Sequence, residues 1–184
     1  MTEPPEVAAA LERARDGDAD AFGELVDRYR DAVLRAALAA TGSAPEAEDA
    51  AQDAFITAFR GLDRFRGEST FKTWLLTIVW NKALDRRRAT RRWLSLDSSR
   101  PAAEPASNDA APDAKLAARG ARDAAKLLIA RLPNKLRDSL LLAATGEQSY
   151  EEIAAMLGVP VGTLKWRVSE ARRIVKEKLR RLGY

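Results

Sequence analysis

The side chains with chemistry to offer cluster near the end of the chain. From 149 to 179 the sequence reads SYEEIAAMLGVPVGTLKWRVSEARRIVKEKL. At helical spacing Leu164, Val168, Ala171, Val175, Leu179 and, just beyond, Leu182 form an apolar stripe. Thr163, Lys165, Trp166, Arg167, Ser169, Glu170, Arg172 and Arg173 fall on the opposite face. Cationic forks and hydroxyls on an exposed helix face can pair phosphates and read guanine edges, a good bidentate base contact giving about 1–3 kcal/mol of discrimination. This is the chemistry of binding. The 184 residues include no histidine and no cysteine, which excludes thiol catalysis, imidazole acid–base chemistry, zinc fingers and disulfides. The carboxylates are scattered, with neither an Asp-rich calcium loop nor a glycine-rich phosphate loop. No catalytic residue, metal or cofactor is expected, and the chain is not read as an enzyme.

Two short helices must position that face. Ser149 and Glu152 have the spacing of a capping box, which starts a helix over 150–157. Gly158 suits the left-handed residue that ends it, and 159–162 makes a turn. A small residue at Ala154 lets the next helix, from Thr163 to about Leu182, cross closely, and Leu164 anchors it. This is a helix-turn-helix, whose second helix enters the major groove of DNA. A helical hairpin with a solvated basic face is the plainer alternative. Trp166 has two placements: on a sugar or thymine methyl, or buried against the preceding helix.

Net charge is only +4, but it is unevenly spread. Residues 1–59 carry 5 basic and 13 acidic side chains, and residues 60–93 carry 10 and 3. Residues 94–162 carry 8 and 9, and residues 163–184 carry 8 and 2. Two basic blocks, each on an apolar helical stripe, point to a polyanionic partner.

The fold is read as all-α, two small helical domains (1–93 and 114–184) joined by a flexible linker over 94–113. In that linker Ala, Ser, Pro and Asp fill 15 of 20 positions, too little apolar surface to order it. Extended, it reaches roughly 65 Å, so the halves can sit on separate parts of a partner. In the first domain a short helix over 6–15 precedes one that Asp20 caps and that runs to Ala40, with Phe22, Leu25, Val26, Tyr29 and Val33 inward. Ser43 and Glu46 have the capping-box spacing for a third, to Arg60, with Pro45 in its first turn. After a loop, Ser69 or Thr70 caps a long helix to about Arg92, with Trp74 inward and Trp80 open between core and strand contact. In the second domain, helices over 114–131 and from Pro133 to about Ala144 precede the helix-turn-helix. The acidic N-terminus has no apolar core, and no run approaches the roughly 18 residues that span a bilayer. The cytoplasm is therefore expected.

LPNKLRDSLLL and SYEEIAAMLGVPVGTLKWRVSEARR resemble the promoter-binding fourth domain of bacterial RNA polymerase sigma factors of the extracytoplasmic-function (ECF) group of the sigma-70 family. AFGELVDRYRDAVLRAAL and AEDAAQDAFITAFRGLDRFRGESTFKTWLLTIVWNKALDRRR are similar to its second domain. The resemblance covers about 19–92 and 116–182. It implies an alternative sigma factor that joins core polymerase, recognises −10 and −35 elements and traps the melted −10 strand. Asp49, Gln52, Asp53, Phe55 and Arg60 would dock the clamp helices of the largest polymerase subunit. Arg66, Gly67, Glu68, Ser69, Thr70, Phe71, Lys72 and Asn81 would capture the −10 strand. Arg86, Arg87, Arg88, Arg91 and Arg92 would contact duplex phosphates, beyond what a helix dipole needs. Thr163, Lys165, Trp166, Arg167, Ser169, Arg172 and Arg173 would meet the −35 element. Trp166 stands where the family usually has a small residue, and Glu170 where basic or aromatic residues are common. An anti-sigma factor is a further partner the resemblance implies, one that could hold the chain near the membrane. The rival readings are a stand-alone helix-turn-helix regulator and a sigma mimic that titrates an anti-sigma factor.

Overall fold

The computed structural model describes residues 3–96 and 114–184, with side chains over 3–90 and 120–184. Every regular element among them is a helix: α1 Pro5–Arg15, α2 Ala19–Thr41, α3 Ala44–Arg60, α4 Phe71–Leu96, α5 Ala114–Ala130, α6 Asn134–Thr145, α7 Tyr150–Leu157 and α8 Val161–Arg181, with one 3-10 turn at Leu62–Arg64. The first half packs α2, α3 and α4 against one another, with α1 laid on α2. In the second half α8 is the hub, touching α5, α6 and α7.

Small side chains set the first core. Ala36, Ala37 and Ala40 of α2 and Ala47, Ala50, Ala54 and Ala58 of α3 are all buried, and alanine lets helix backbones approach closely. The volume comes from α4, where Phe71, Leu75, Leu76, Val79 and Trp80 are almost fully enclosed. Trp80 is thereby placed in the core, 2% exposed. Its neighbour Asn81 is exposed. In the second half Leu142, Ile153, Leu164 and Val168 are closed off from solvent. Fully burying such a side chain contributes about 1.5–3 kcal/mol.

Several local expectations change. Asp18, not Asp20, caps α2, accepting from the Asp20 and Ala21 amides. Ser43 stands at the α3 N-cap but makes no capping bond. Glu46 accepts instead from Thr90 Oγ1 at 3.0 Å. The Ser43 amide, which a capping box would give to Glu46, is bonded to Thr41 Oγ1 at 3.3 Å. α4 runs three residues into the segment read as linker, to Leu96. Residues 97–113, and the Arg91 and Arg92 side chains, lie outside the described residues. Val161 and Gly162, expected in the turn, are the first turn of α8, because Pro160 before them suits an N-cap without a side-chain bond. Leu182, expected in the stripe, is 60% exposed, since α8 ends at Arg181.

The two halves touch each other, which the composition of the linker does not suggest. α2 meets α6, and α4 meets α7. Hydrogen bonds and ion pairs cross the contact. Arg87 bonds Asp138 at 2.9 Å, Arg35 and Lys72 bond Glu147 at 2.6 and 3.2 Å, and Thr73 Oγ1 donates to Glu152 at 2.7 Å.

Candidate nucleic-acid interface

The helix-turn-helix is built as its residues require. Ser149 accepts from the Glu152 amide at 3.2 Å, and Glu152 accepts from the Ser149 amide at 2.8 Å, so the capping box is complete. Gly158 has φ +62°, the left-handed conformation, where a side chain would cost roughly 1–2 kcal/mol. Ala154 is 2% exposed, and its carbonyl receives the Val159 amide. The turn thus closes on α7 before α8 begins. Leu164, Val168, Ala171 and Val175 hold α8 to the core.

The outer face of α8 presents the expected groups. Lys165, Trp166, Ser169 and Arg172 are exposed, and Thr163 and Arg167 are half-buried. Trp166 is 62% exposed, which removes the alternative of a ring packed against α7. Lys165, Ser169 and Arg172 line a shallow hollow with Tyr150. Arg173 is differently placed. Both Glu170 oxygens hold its guanidinium, at 2.7 and 2.9 Å, and Glu177 adds a third contact at 3.2 Å. Its hydrogen bond from Arg173 keeps Glu170 below the usual carboxylate range, and the same bond raises Arg173 further. Glu170 therefore steers an arginine along the helix axis. Lys165, Arg167 and Arg172 have no carboxylate partner among the described residues.

The second group surrounds the connection from α3 to α4. Arg66, Gly67 and Glu68 are exposed, while Ser69 and Thr70 are half-buried. Gly67 has φ +73°, so the loop turns where only glycine does so without strain. Arg64, Arg66, Glu68, Ser69 and Trp74 edge an open hollow of about 690 Å³ whose wall includes buried Phe65. Trp74 stacks at a tilt on Phe65 and Phe71, with ring centres 5.2 and 5.7 Å apart. It is core as expected, with an edge toward the hollow. Thr70 caps α4, accepting from the Thr73 amide at 3.2 Å. Phe71 is buried, so its ring supports the loop from beneath.

Sequence reasoning did not find two supports of this loop. Arg15 of α1 donates from Nη2 to the Phe65 carbonyl at 2.6 Å, and its guanidinium lies 5.8 Å from the Phe65 ring centre. Glu3 accepts from the Phe71 amide, at the first turn of α4. Neither shows a motif, because both act across more than 45 residues of sequence. Thr73, Asp138, Glu147 and Glu152 were likewise unmarked as an interface. Of these, only Glu152 had a signal, and that was for a cap.

The remaining groups are on α3 and late α4. Asp49 and Gln52 are exposed, Asp53 and Phe55 half-buried and Arg60 exposed. Gln52 and Phe55 line a groove with Val26, Arg30 and Leu34 of α2. Asp49 and Asp53 both bind Arg86, at 3.0 and 2.6 Å. The hydrogen bond from Arg86 to Asp53, then their charge attraction, outweighs burial and raises Arg86 above its ordinary value. Arg88 pairs with Asp85 at 3.1 Å and is well exposed. Arg87 is nearly covered, bonded to Asp138 and to the Ala40 carbonyl. The described residues hold no group of carboxylates placed to bind a metal ion. No described helix is long and apolar enough to cross a membrane.

Known proteins share this arrangement. Residues 25–93 match the family model for Sigma-70 region 2, and residues 122–175 match Sigma-70, region 4. The ECF RNA polymerase sigma factor SigW of Bacillus subtilis is 31% identical over 179 residues, 94% of this chain and 96% of its own length. The ECF RNA polymerase sigma-E factor of Escherichia coli K12 is 36% identical over 181 residues, covering 94% of this chain and 93% of its own. Among solved structures, CnrH in complex with the cytosolic domain of CnrY superposes with a TM-score of 0.66 at 27% identity, covering 95% of this chain and 97% of that one. The sigma factor RpoE of Bartonella quintana, in complex with the anti-sigma factor NepR, gives 0.64 at 26% identity over 86% of this chain and 96% of its own. Two matched regions in the right order, with relatives spanning nearly the whole chain, settle the matter: the protein belongs to the ECF group of the sigma-70 family, non-enzymatic subunits that direct RNA polymerase to promoters.

Proposed function

We propose that residues 1–93 bind core polymerase and the −10 element, that 94–113 tether, and that 114–184 bind the −35 element. The observation that carries the reading is the outer face of α8, with Lys165, Trp166, Ser169 and Arg172 exposed and Arg167 half-buried beside a buried stripe. Arg167 and Lys165 pair phosphates or guanine edges, and Trp166 supplies an apolar surface for a thymine methyl. Arg173 contributes only after leaving Glu170. The loop Arg66–Lys72, with Asn81, takes the melted non-template strand into the hollow beside Trp74. Unstacking a base costs a few kcal/mol, which stacking and edge hydrogen bonds must offset. Arg86, Arg87 and Arg88 follow the duplex backbone.

Asp49, Gln52, Asp53, Phe55 and Arg60 form the polymerase contact, aimed at the clamp helices of the largest subunit. The groove at Gln52 and Phe55 supports this reading, since it offers an apolar floor between charged rims. The chain works in the cytoplasm. Because CnrH and RpoE are each solved with CnrY and NepR, we assign an anti-sigma factor as a further partner, which could hold the chain near a membrane.

A pair of variants separates the two DNA surfaces. Asn81→Ala should slow promoter melting and leave polymerase affinity and the closed complex unchanged. Arg167→Ala should weaken the closed complex and its dependence on the −35 sequence. Equal melting by Asn81→Ala on intact and scrambled −10 elements at the wild-type rate removes the strand-capture assignment.

A further inference from the structure

Three cationic groups and one hydroxyl of the first half point at the second half. Lys72 reaches Glu147 twice, at its carboxylate (3.2 Å) and its backbone carbonyl (2.7 Å). Arg35 takes the other Glu147 oxygen at 2.6 Å. Arg87 meets Asp138 at 2.9 Å, both side chains being about 15% exposed or less. Thr73, 3% exposed, gives its hydroxyl proton to Glu152. Burial pushes the Glu147 carboxyl up, but the bonds and charges of Arg35 and Lys72 outweigh it and hold it below the usual carboxylate range. Glu152 is likewise held low, its burial outweighed by bonds from the Ser149 amide and the Thr73 hydroxyl. The carboxylates stand where a polyanion would be welcome. Lys72 and Arg87 are assigned above to the promoter strand and duplex, and a side chain cannot serve both at once.

We propose that the cationic face of Arg35, Lys72 and Arg87 is a docking surface for the acidic underside of the chain's own C-terminal half, Asp138, Glu147 and Glu152, and that DNA must displace this closure to reach Lys72 and Arg87. The inference rests on the −10 assignment for its competition with DNA; the closure itself does not. The Arg35 and Lys72 pairs with Glu147 are partly solvated, so added salt weakens them. DNA affinity of the free chain is then the intrinsic affinity reduced by the fraction of molecules that are open. No residue of the acidic underside belongs to the proposed polymerase or DNA surfaces, so neutralising it removes the lock and leaves the binding groups intact.

The chain has no cysteine, which allows clean double labelling. With Asp27→Cys on α2 and Lys178→Cys on α8, both exposed, spin-label distances report closure in the full-length free chain. The expected result is one narrow distance at low salt that broadens with salt and in Asp138→Asn/Glu147→Gln. That double variant should also bind a mixed-sequence DNA single strand of about 12 nucleotides roughly tenfold more tightly, as expected if about nine molecules in ten are closed. A broad distribution in the wild-type chain overturns closure, as does a narrow one that the double variant leaves unchanged. An opened variant with unchanged DNA affinity overturns the competition. Transcription by holoenzyme is a separate readout: if the wild-type chain directs none on any promoter, the proposed function fails, whatever the distances show. A control that removes one exposed carboxylate away from the contact, Asp20→Asn at the start of α2, should leave both distance and affinity unchanged.

Discussion

Arg15→Ala tests how the −10 loop is held. Arg15 lies on α1, before the first residue of the matched Sigma-70 region 2, and bonds the loop at Phe65. Its hydrogen bond is charge-assisted, but the side chain is exposed and water recovers part of the loss, leaving about 1 kcal/mol. The cation–π contact adds about 0.5–1 kcal/mol at an exposed site. Together they favour the ordered loop by about 1.5–2 kcal/mol, a factor of roughly ten to thirty. Promoter opening should therefore slow by up to about tenfold, the gap reflecting what Glu3 and Phe71 still supply at the start of α4. The assay is stopped-flow fluorescence of a base analogue within the −10 element, using holoenzyme. Arg15→Lys keeps the cation and loses the fork, so it should fall between the two. The −35-dependent closed complex should be unaffected, because α1 packs on α2. Opening at the wild-type rate, or a matching fall in polymerase affinity, would refute the reasoning.

Other expectations follow from single sites. Leu164→Ala empties a fully buried position at the root of α8 and should cost about 2–5 kcal/mol, read as a lower melting temperature together with lost duplex binding. Trp166→Ala should erase the preference for thymine over deoxyuridine in the −35 element; an unchanged preference removes the ring from base readout. Closure between the halves should weaken in acid. Glu147 and Glu152 have their pKa values lowered below 4.5 in the closed chain. Their contribution is therefore complete above that value and lost as pH falls through the lowered ones. The distance between labels on α2 and α8 should broaden only below about pH 4.5, and broadening near neutrality would contradict the assignment.

How much of this was legible depends on the range of the interaction. The capping box at Ser149 and Glu152 is complete within four residues, and the structure forms it. The same spacing at Ser43 and Glu46 misled, because Thr41 takes the Ser43 amide and Thr90 on α4 bonds the Glu46 carboxylate. The α8 stripe was readable from period alone until Leu182, where the helix stops. Trp80 and Trp166 show the limit of composition: both aromatics stand near polar residues in sequence, yet one is 2% and the other 62% exposed. Arg15, Glu3 and the acidic underside leave no local pattern, since each acts on a partner brought near only by folding. The pairing of Asp49 and Asp53 with Arg86 is of the same kind, joining residues more than 30 positions apart.

The central claim is that this chain gives core polymerase its promoter. Purified chain and core polymerase should be combined in a single-round run-off assay, on a promoter mapped from transcript starts after overproduction of the chain. The account predicts one discrete transcript that needs the chain and disappears when either the −10 or the −35 block is scrambled. A transcript indifferent to both blocks, or none on any mapped promoter, would contradict it.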